Sequence, residues 1–276
     1  MKIKYLGTAA AEGIPAIFCH CKVCNYARKH GGKEIRTRTQ ALIDNDILID
    51  FGPDTYMHLL EYGLDISMIE VCLITHTHSD HLFVGDILMR KKNHAIYDKD
   101  IPPLNIYGGS GVEKVIGVKD GNFITKDGRV VFQRAYAYKS ITYRDYTIVP
   151  LPAYHKTEEP FIYLIQKDNK NILYAHDTDI FYDEVWSYLS NNNIILNLVS
   201  LDCTEGIQQI NYSGHMNFER DFIVREKMLQ MGIANDNTIF VANHFSHNGL
   251  INYADAINYH ISKGFIVAYD GMELVI

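Results

Sequence analysis

Short apolar segments recur along the whole chain, and each ends close to a residue that favours a turn. The segments are of strand length and rich in β-branched and aromatic residues. They end near Gly, Pro, Asn, Asp or His, a pattern typical of β-strands. We therefore predict strands at residues 2–6, 47–50, 71–75, 147–151, 161–165, 171–175, 194–200, 238–241 and 265–269.

Apolar residues at helical spacing predict helices at residues 54–62, 218–231 and 253–262. The first pattern ends at Gly63, and the second follows the capping candidate Asn217. Strands come first along the chain and are then mixed with helices. That order favours two packed sheets with helices outside over a regular βαβ winding.

Residues 90–128 are the least patterned part of the chain, and we interpret them as connections with one strand and one helix. A glycine cluster at residues 108–111 is a candidate phosphate cradle at the start of a helix. A plain strand-to-helix turn is the favoured interpretation of this cluster. The basic run at residues 90–92 is interpreted as a solvated face.

Length and composition predict a globular protein with a sizeable core, since 47% of the 276 residues are hydrophobic. The sequence has no internal repeat and no linker, so we expect a single domain over residues 1–276. No apolar run approaches the roughly 18–20 residues that a membrane helix needs, and the N-terminus lacks a signal peptide's apolar stretch. We therefore expect a cytoplasmic protein that does not cross a membrane.

The formal net charge of −7 makes long nucleic acid an unlikely partner, because such binding depends mainly on Lys and Arg contacts to phosphate. A small anionic substrate is still compatible with this charge. Bound divalent metal ions would offset several carboxylates locally.

The run HTHSDH at residues 76–81 directly follows the predicted strand at residues 71–75. His76 and His78 are two positions apart, so an extended backbone points both imidazoles the same way. The adjacent Asp–His pair that ends the run suits a second metal nearby. Imidazole and carboxylate are suitable ligands for Zn²⁺, Fe or Mn²⁺, so we predict a site for paired metals.

Further candidate ligands stand at the ends of other predicted elements. They are His155, Asp177 and His244 after strands, and His215 ahead of a helix. A recurring pattern of strand and then ligand is what a site at one edge of a sheet requires. Together these residues complete two coordination spheres, which the run at residues 76–81 cannot do alone.

In this order, and with the turn Asp50-Phe51-Gly52, these elements resemble the metallo-β-lactamase-fold hydrolases across nearly the whole chain. The resemblance implies an α/β fold with four layers, αββα, in which two mixed β-sheets are flanked by helices. It also implies that Asp50 orients one of the ligand histidines. His176 has no matching role in the motif.

The same resemblance implies a ligand set for each metal. The first metal would be held by His76, His78 and His155. The second metal would be held by Asp80, His81 and His244. Asp177 would bridge the two metals.

Three of the five cysteines, Cys19, Cys21 and Cys24, form the pattern C-x-C-x-x-C. An odd total argues against a disulfide framework. Three thiolates this close can surround one Zn²⁺, which normally takes four ligands in a structural site. We therefore predict a zinc-binding loop at about residues 18–25 and look for its fourth ligand elsewhere.

This loop, followed by residues 36–43, resembles the PhnP-type phosphodiesterases of the carbon–phosphorus lyase pathway, and more distantly the transfer RNA 3′-processing endonucleases. The resemblance implies that His247, just after His244, is the fourth zinc ligand. His20, inside the loop, is the alternative.

The PhnP-type resemblance also implies a proton donor for the leaving alkoxide, and His215 stands at the matching place. His215, Asp80 and Asp177 are thus the predicted catalytic residues. The absence of a long basic insertion means that the likeness to transfer RNA processing enzymes supports shared chemistry rather than a shared substrate.

The expected function is a metal-dependent hydrolase, a phosphodiesterase that cleaves small cyclic phosphates or nucleotide-like diesters with a two-metal-activated hydroxide. Its expected cofactors are two divalent metals, Zn, Mn or Fe, and one structural Zn. The expected partner is a small anionic phosphodiester, and a second copy of the chain is left open as another partner.

Two alternatives stay open. One is hydrolysis of lactones, carboxyl esters or thioesters on the same dinuclear site. The other is a non-enzymatic, metal-binding carrier protein in cofactor biosynthesis. A redox di-iron role is disfavoured, because that branch generally has Glu where this chain has His78.

Overall fold

Two seven-stranded β-sheets lie at the centre of the computed structural model, which describes residues 1–97, 100–117, 124–209, 212–261 and 263–276. In chain order the strands are β1 (Lys2–Gly7), β2 (Gln40–Ile43), β3 (Ile47–Ile49), β4 (Val71–Leu73), β5 (Leu104–Gly108), β6 (Val130–Arg134), β7 (Ile141–Tyr143), β8 (Tyr146–Pro152), β9 (Phe161–Lys167), β10 (Lys170–Ala175), β11 (Leu198–Asp202), β12 (Ile239–Asn243), β13 (Phe265–Val267) and β14 (Glu273–Val275). The first sheet has the order β14-β1-β2-β3-β4-β5-β6, and the second has the order β13-β12-β11-β10-β9-β8-β7.

Both sheets are mixed, as expected. In the first sheet, β14, β1, β2 and β3 pair antiparallel, and β3 to β6 pair in parallel. In the second sheet, β7 to β10 pair antiparallel, and β10 to β13 pair in parallel. Because β10, β11 and β12 are parallel, the residues that follow them meet at one edge of the sheet.

Helices lie outside the sheets. They are α1 (Lys22–His30), α2 (Thr55–Tyr62), α3 (Val84–Ile87), α4 (Ser110–Ile116), α5 (Asp183–Asn191), α6 (Phe218–Gln230) and α7 (Tyr253–Ile261), with short 3-10 helices at Gly32–Glu34, Leu88–Arg90 and His247–Gly249. In the part of the chain that is described, no helix is both long and apolar enough to cross a membrane.

The three predicted helices are confirmed as α2, α6 and α7. Gly63 ends α2 in the left-handed conformation, with φ of 59°. The side chain of Asn217 caps α6 by accepting a hydrogen bond from the backbone N–H of Arg220 at 3.0 Å. The last residue of the third predicted helix, Ser262, lies outside the described residues.

Alternating side chains separate the core into layers. Val71 and Leu73 of β4 pack in one cluster with Tyr163 of β9, so this cluster fills the space between the sheets. Cys72, between them in the strand, faces the other way and packs with the helical layer that includes Val112 of α4. The opposite face of the second sheet packs against the buried side chains of α1, α5 and α6. The expected αββα sandwich is confirmed.

The glycine cluster at residues 108–111 forms the turn from β5 to α4, in line with the favoured interpretation. The backbone N–H of Ser110 donates to Oε2 of Glu159 at 2.9 Å, so a carboxylate of the protein itself occupies this helix start. A Cβ at Gly109 would lie 2.3 Å from the carbonyl oxygen of Glu159. Close approach of a neighbouring loop therefore explains the glycine.

Several elements are absent from the sequence-based prediction. The strands β2, β6, β7 and β14 and the helices α1, α3 and α5 are among them, and β7 and β14 are three-residue edge strands. The basic run is also only partly solvated: Nη2 of Arg90 donates to the carbonyl oxygens of Ser67 at 2.9 Å and Pro102 at 2.7 Å. Such contacts depend on loops that are distant in sequence.

Candidate metal centre

The loops that follow β4, β8, β10 and β12 carry the candidate ligands to one edge of the sandwich. The first cluster contains one donor atom from each of four side chains, all within 4.8 Å of one another. Its members are His76, His78, His155 and Asp177. Nδ1 of His78 lies 2.9 Å from Nε2 of His76 and 3.3 Å from Nε2 of His155. Oδ1 of Asp177 lies 3.7 Å from Nε2 of His155.

The second cluster lies on the other side of the Asp177 carboxylate. Nε2 of His81 is 3.1 Å from Oδ2 of Asp80 and 3.0 Å from Oδ2 of Asp177. Nε2 of His244 is 2.9 Å from the same oxygen of Asp177. The two oxygens of Asp177 therefore face different clusters. The structure brings together all seven residues that the sequence analysis assigned to the dinuclear site.

The buried atoms at the centre of this arrangement lack ordinary partners. Nε2 of His81, Oδ2 of Asp177 and Nε2 of His244 are buried and make no hydrogen bond within the described part of the chain. Buried polar groups are normally hydrogen-bonded, because desolvation without a partner is costly. Imidazole nitrogens and carboxylate oxygens are the donors that Zn²⁺, Mn²⁺ and Fe prefer. The donor set thus fits divalent metal ions.

The far nitrogens of the histidines are tied to groups outside the clusters. Nδ1 of His81 donates to Oδ2 of Asp50 at 2.7 Å, so the residue expected to orient a ligand histidine contacts His81. Nδ1 of His155 donates to the carbonyl oxygen of Gly214 at 2.9 Å. Nδ1 of His244 lies 2.8 Å from the hydroxyl of Thr204. These contacts leave each Nε2 atom facing the cluster.

Burial keeps part of the first cluster in its neutral form. The pKa of His76 lies well below its ordinary value, and the pKa of His155 is also lowered, in both cases mainly because burial disfavours the charged imidazole. Neutral imidazole is the form that binds metals. His176 lies outside both clusters, with Nε2 at 2.8 Å from the hydroxyl of Ser200.

His215 lies beside the clusters and 22% of its side chain is exposed. Its Nδ1 is 3.1 Å from Oδ2 of Asp202 and 3.9 Å from Oδ1 of Asp177. Burial alone would lower the pKa of His215, but the carboxylates of Asp202 and Asp177 outweigh it and raise the pKa to about 9.

Asp202 is a residue beside the metal clusters that the sequence analysis missed. It is fully buried at the end of β11. Its Oδ2 accepts the backbone N–H of Asp177 at 2.9 Å, and its Oδ1 accepts those of Thr204 at 3.0 Å and Met216 at 3.1 Å. One carboxylate thus joins the loops that carry Asp177 and His215. The same rule of a strand followed by an aspartate would have found it.

The predicted zinc loop forms a separate cluster. Its four donor atoms lie within 4.8 Å of one another and belong to Cys19, Cys21, Cys24 and His247. Nδ1 of His247 lies 3.5 Å from Sγ of Cys19 and 3.6 Å from Sγ of Cys21. The alternative ligand, His20, is exposed and lies outside this group. The cluster has the closed set of thiol and imidazole donors that suits structural zinc.

A cavity of about 470 Å³ opens over the dinuclear cluster. It is lined by Ala10, Ala11, Glu12, His78, Ser79, Asp80, Asp177, Thr204, Glu205, Tyr212, His215, His244, Ser246 and Asn248. A second cavity of about 480 Å³ lies by α2 and the first sheet, and its lining contains none of the clustered histidines. The chemistry of the donor atoms, rather than cavity size, identifies the candidate site.

Two curated proteins resemble parts of the chain. An octanoyltransferase of Porphyromonas gingivalis is 38% identical over 86 residues, which cover 30% of the chain and 16% of that protein. Coenzyme PQQ synthesis protein B of Methylobacterium radiotolerans is 29% identical over 125 residues, covering 41% of the chain and 38% of that protein. The chain therefore spans less than half the length of either relative.

Solved structures resemble the chain over its full length. A diphosphatase of the PhnP family has a TM-score of 0.74 and 20% identity, covering 100% of the chain and 97% of that structure. Zn²⁺-bound PqqB of Methylobacterium extorquens has a TM-score of 0.69, 15% identity and full coverage of both chains. The short form of human tRNase Z has a TM-score of 0.61 and 15% identity, covering 100% and 99%. At these identities the likeness shows a shared fold.

A family model, the beta-lactamase superfamily domain, matches residues 45–249. This range begins just before β3 and ends just after His247. It includes every residue of the dinuclear cluster and the last member of the cysteine cluster.

Proposed function

The chain belongs to the beta-lactamase superfamily, and on that premise we propose that it is a phosphodiesterase that uses two divalent metal ions to hydrolyse small phosphodiesters. The observation that carries the proposal is the arrangement around Asp177. Its two oxygens face two separate groups of nitrogen and oxygen donors, which is the arrangement that a bridged metal pair requires.

In this proposal His76, His78 and His155 hold the first metal. Asp80, His81 and His244 hold the second metal, and Asp177 bridges the pair. When bound, two such ions activate water as a nucleophile and neutralise charge on the non-bridging phosphate oxygens.

His215 is the proposed general acid for the leaving alkoxide. Its position beside Asp177 and within the cavity lining supports this role. Because Nδ1 is directed at Asp202, Nε2 is the nitrogen from which a proton would be transferred to the leaving oxygen. The carboxylate of Asp202 favours the protonated imidazole that such a donor needs.

A substrate screen with metal analysis tests the proposal. The purified protein should contain three metal equivalents, two in the dinuclear site and one in the cysteine cluster. It should hydrolyse bis(p-nitrophenyl) phosphate faster than any member of a lactone and thioester panel. Hydrolysis of lactones or thioesters with no diester turnover would refute phosphodiesterase activity in favour of the ester hydrolase alternative.

A leaving-group comparison tests His215 separately. His215→Ala should lower kcat on a diester with a poor leaving group by about 10²–10⁴-fold, the usual range for general acid catalysis. It should change kcat much less for a p-nitrophenyl diester, whose leaving group does not need a proton. Equal effects on both substrates would contradict the assignment.

A carrier role in cofactor biosynthesis is the second candidate, favoured by the likeness to PqqB over the whole chain. A carrier would bind metals without turnover of any diester, lactone or thioester. The same screen therefore distinguishes the carrier from the enzyme.

A further inference from the structure

Two carboxylates in the cavity belong to neither metal-donor cluster. Glu12 and Glu205 line the same cavity as Asp177 and His244. The latter two residues are 4% and 1% exposed and each carries an atom without a hydrogen-bond partner, so the cavity is built around a bound group. A ligand that fills this cavity therefore also lies beside the two glutamates.

Glu12 is held in place by residues from a loop that is distant in sequence. Its Oε2 accepts from the hydroxyl of Ser246 at 3.3 Å, and its Oε1 accepts from Nδ2 of Asn248 at 3.3 Å. These two donors flank His247, the histidine of the cysteine cluster. The cysteine cluster therefore ties together the two loops that place Glu12 at the cavity.

Glu205 is placed by a different loop. It follows Thr204, whose hydroxyl contacts His244, and it accepts a hydrogen bond from the hydroxyl of Tyr212. The two glutamates thus reach the cavity from separate parts of the chain.

No lysine or arginine occurs among the described side chains that line the cavity. Arg38 and Arg220 donate hydrogen bonds to backbone carbonyl oxygens of lining residues, but both side chains pair with carboxylates outside the lining. Nη1 of Arg38 pairs with Asp54 at 2.8 Å, and Nη1 of Arg220 pairs with Asp179 at 2.7 Å. The cationic imidazole of His215 in the lining is directed at Asp202. A second negative group on a ligand would therefore meet two carboxylates and neither lysine nor arginine, which is unfavourable.

We infer that Glu12 and Glu205 select the alcohol portion of the substrate: it carries hydroxyl or ammonium donors and no second phosphate. This inference rests on the proposed function for the position of the phosphodiester, and it adds a substrate class. Carboxylates accept hydrogen bonds from such donors and repel further anions. The two residues are specificity-determining and take no part in the bond cleavage.

Binding of three phosphate monoesters to the metal-loaded protein tests the inference without turnover. 2-Aminoethyl phosphate, 2-hydroxyethyl phosphate and 2-phosphoglycolate share the phosphate and a two-carbon tail but differ in the distal group. By titration calorimetry, at least one donor-bearing ester should bind at least about tenfold more tightly than phosphoglycolate, as expected for hydrogen bonds to charged groups. Comparison of the amino and hydroxy esters identifies the preferred donor.

The variants Glu12→Gln and Glu205→Gln should each reduce this preference, because the amide removes the negative charge with little change of shape. Glu61→Gln on the exposed surface of α2 is the matched control and should retain the full preference. Metal content and far-UV circular dichroism check each variant, and if one glutamine variant does not fold, the other decides.

The inference is overturned by equal or tighter binding of phosphoglycolate, by a preference that persists in the glutamine variants, or by no binding of any ester. Failure of the proposed function looks different. In that case the donor preference persists in the wild type, while bis(p-nitrophenyl) phosphate is not hydrolysed.

Discussion

At the scale of single residues, the geometry of the candidate metal site depends on the histidine nitrogens that point away from the two clusters. The far nitrogens of His81, His155 and His244 contact Asp50, Gly214 and Thr204, respectively. Each contact selects the ring orientation in which Nε2 faces the cluster. Loss of an outer contact of this kind typically lowers metal affinity by about 10–100-fold.

Asp50→Asn should weaken binding at the dinuclear site by about 10–100-fold. Oδ1 of Asp50 accepts from the backbone N–H of Thr75 at 2.8 Å, and Oδ2 accepts from Nδ1 of His81. An amide has one acceptor oxygen and cannot satisfy both donors. Chelator competition measures the affinity, with the exposed Asp236→Asn as control. Unchanged affinity in Asp50→Asn would show that Asp50 only shapes the turn.

Asp202→Asn should lower kcat for a diester with a poor leaving group by about 10²-fold, with a smaller effect on a p-nitrophenyl diester. Both oxygens of Asp202 accept hydrogen bonds, and Oδ2 also faces Nδ1 of His215. The amide of asparagine removes the negative charge that favours the protonated imidazole of His215, so the proton donor is weakened. The ratio of the two rates is the readout, because a general loss of folding would lower both rates equally. An unchanged ratio would remove Asp202 from the path to His215.

At the scale of elements, the site depends on a close approach between the end of β3 and the loop after β4. The backbone N–H of Phe51 donates to the carbonyl oxygen of His81 at 2.8 Å, and that of Phe83 donates to the carbonyl oxygen of Phe51 at 2.7 Å. These hydrogen bonds hold the metal loop against β3. Gly52 lies at the tightest part of the contact, where a Cβ would be 2.0 Å from the carbonyl oxygen of Asp80.

Gly52→Ala should therefore destabilise the fold by about 1–3 kcal/mol, the usual cost of overpacking, and should weaken metal binding by displacing the Asp80 loop. Gly85→Ala is the matched control, since the nearest atom to its Cβ would be at an ordinary 3.4 Å. Urea unfolding measures the stability of both variants. Equal stability of the two would mean that the loop moves aside without cost.

Sequence patterns predicted helices best where a recognisable capping residue precedes a segment rich in apolar residues. The helix α6 has both a capping residue and an apolar face, and its position was correctly predicted. The helix α1 has a mean hydropathy too low to stand out, and its start is capped by Sγ of Cys21, which accepts from the backbone N–H of Cys24 at 3.4 Å. Such a cap is not recognisable from propensity alone.

At the scale of the whole molecule, the cysteine cluster joins segments that are far apart in sequence. Cys19 and His247 are separated by 228 positions, yet their donor atoms are 3.5 Å apart. The cluster thereby holds the N-terminal loop beside the loop that follows β12. Structural zinc contributes about 10–16 kcal/mol in isolated peptides; in a domain with its own core, we expect mostly local ordering.

The double variant Cys21→Ser, Cys24→Ser should bind two metal equivalents instead of three and should be cleaved faster by trypsin within α1. The reason is that the N-terminal loop loses the zinc ion that would hold it beside the loop after β12. Cys72→Ala is the control, because Cys72 lies in the core and belongs to none of the donor clusters. Metal analysis and limited proteolysis provide the two readouts. Three equivalents in the double variant would contradict a zinc site at these cysteines.

Family membership also belongs to this scale. The resemblance drawn from the His/Asp motif and the cysteine loop is confirmed by the match over residues 45–249 and by the shared fold with the PhnP-family diphosphatase and tRNase Z. The substrate class stays a proposal, because the donor chemistry at the metal edge does not specify the residues of the cavity wall. In this chain Glu12 and Glu205 are part of that wall.

By itself, the sequence determined the types of donor atom and their approximate places, because a histidine or aspartate directly after a buried strand is a local pattern. It also determined the alternation of strand residues that separates the core into layers. Only the tertiary structure decided how the two oxygens of Asp177 divide between clusters, how Asp202 joins two loops, and how Glu12 reaches the cavity. These contacts join loops from different strands, and their geometry depends on how the sheets and loops pack rather than on any local pattern.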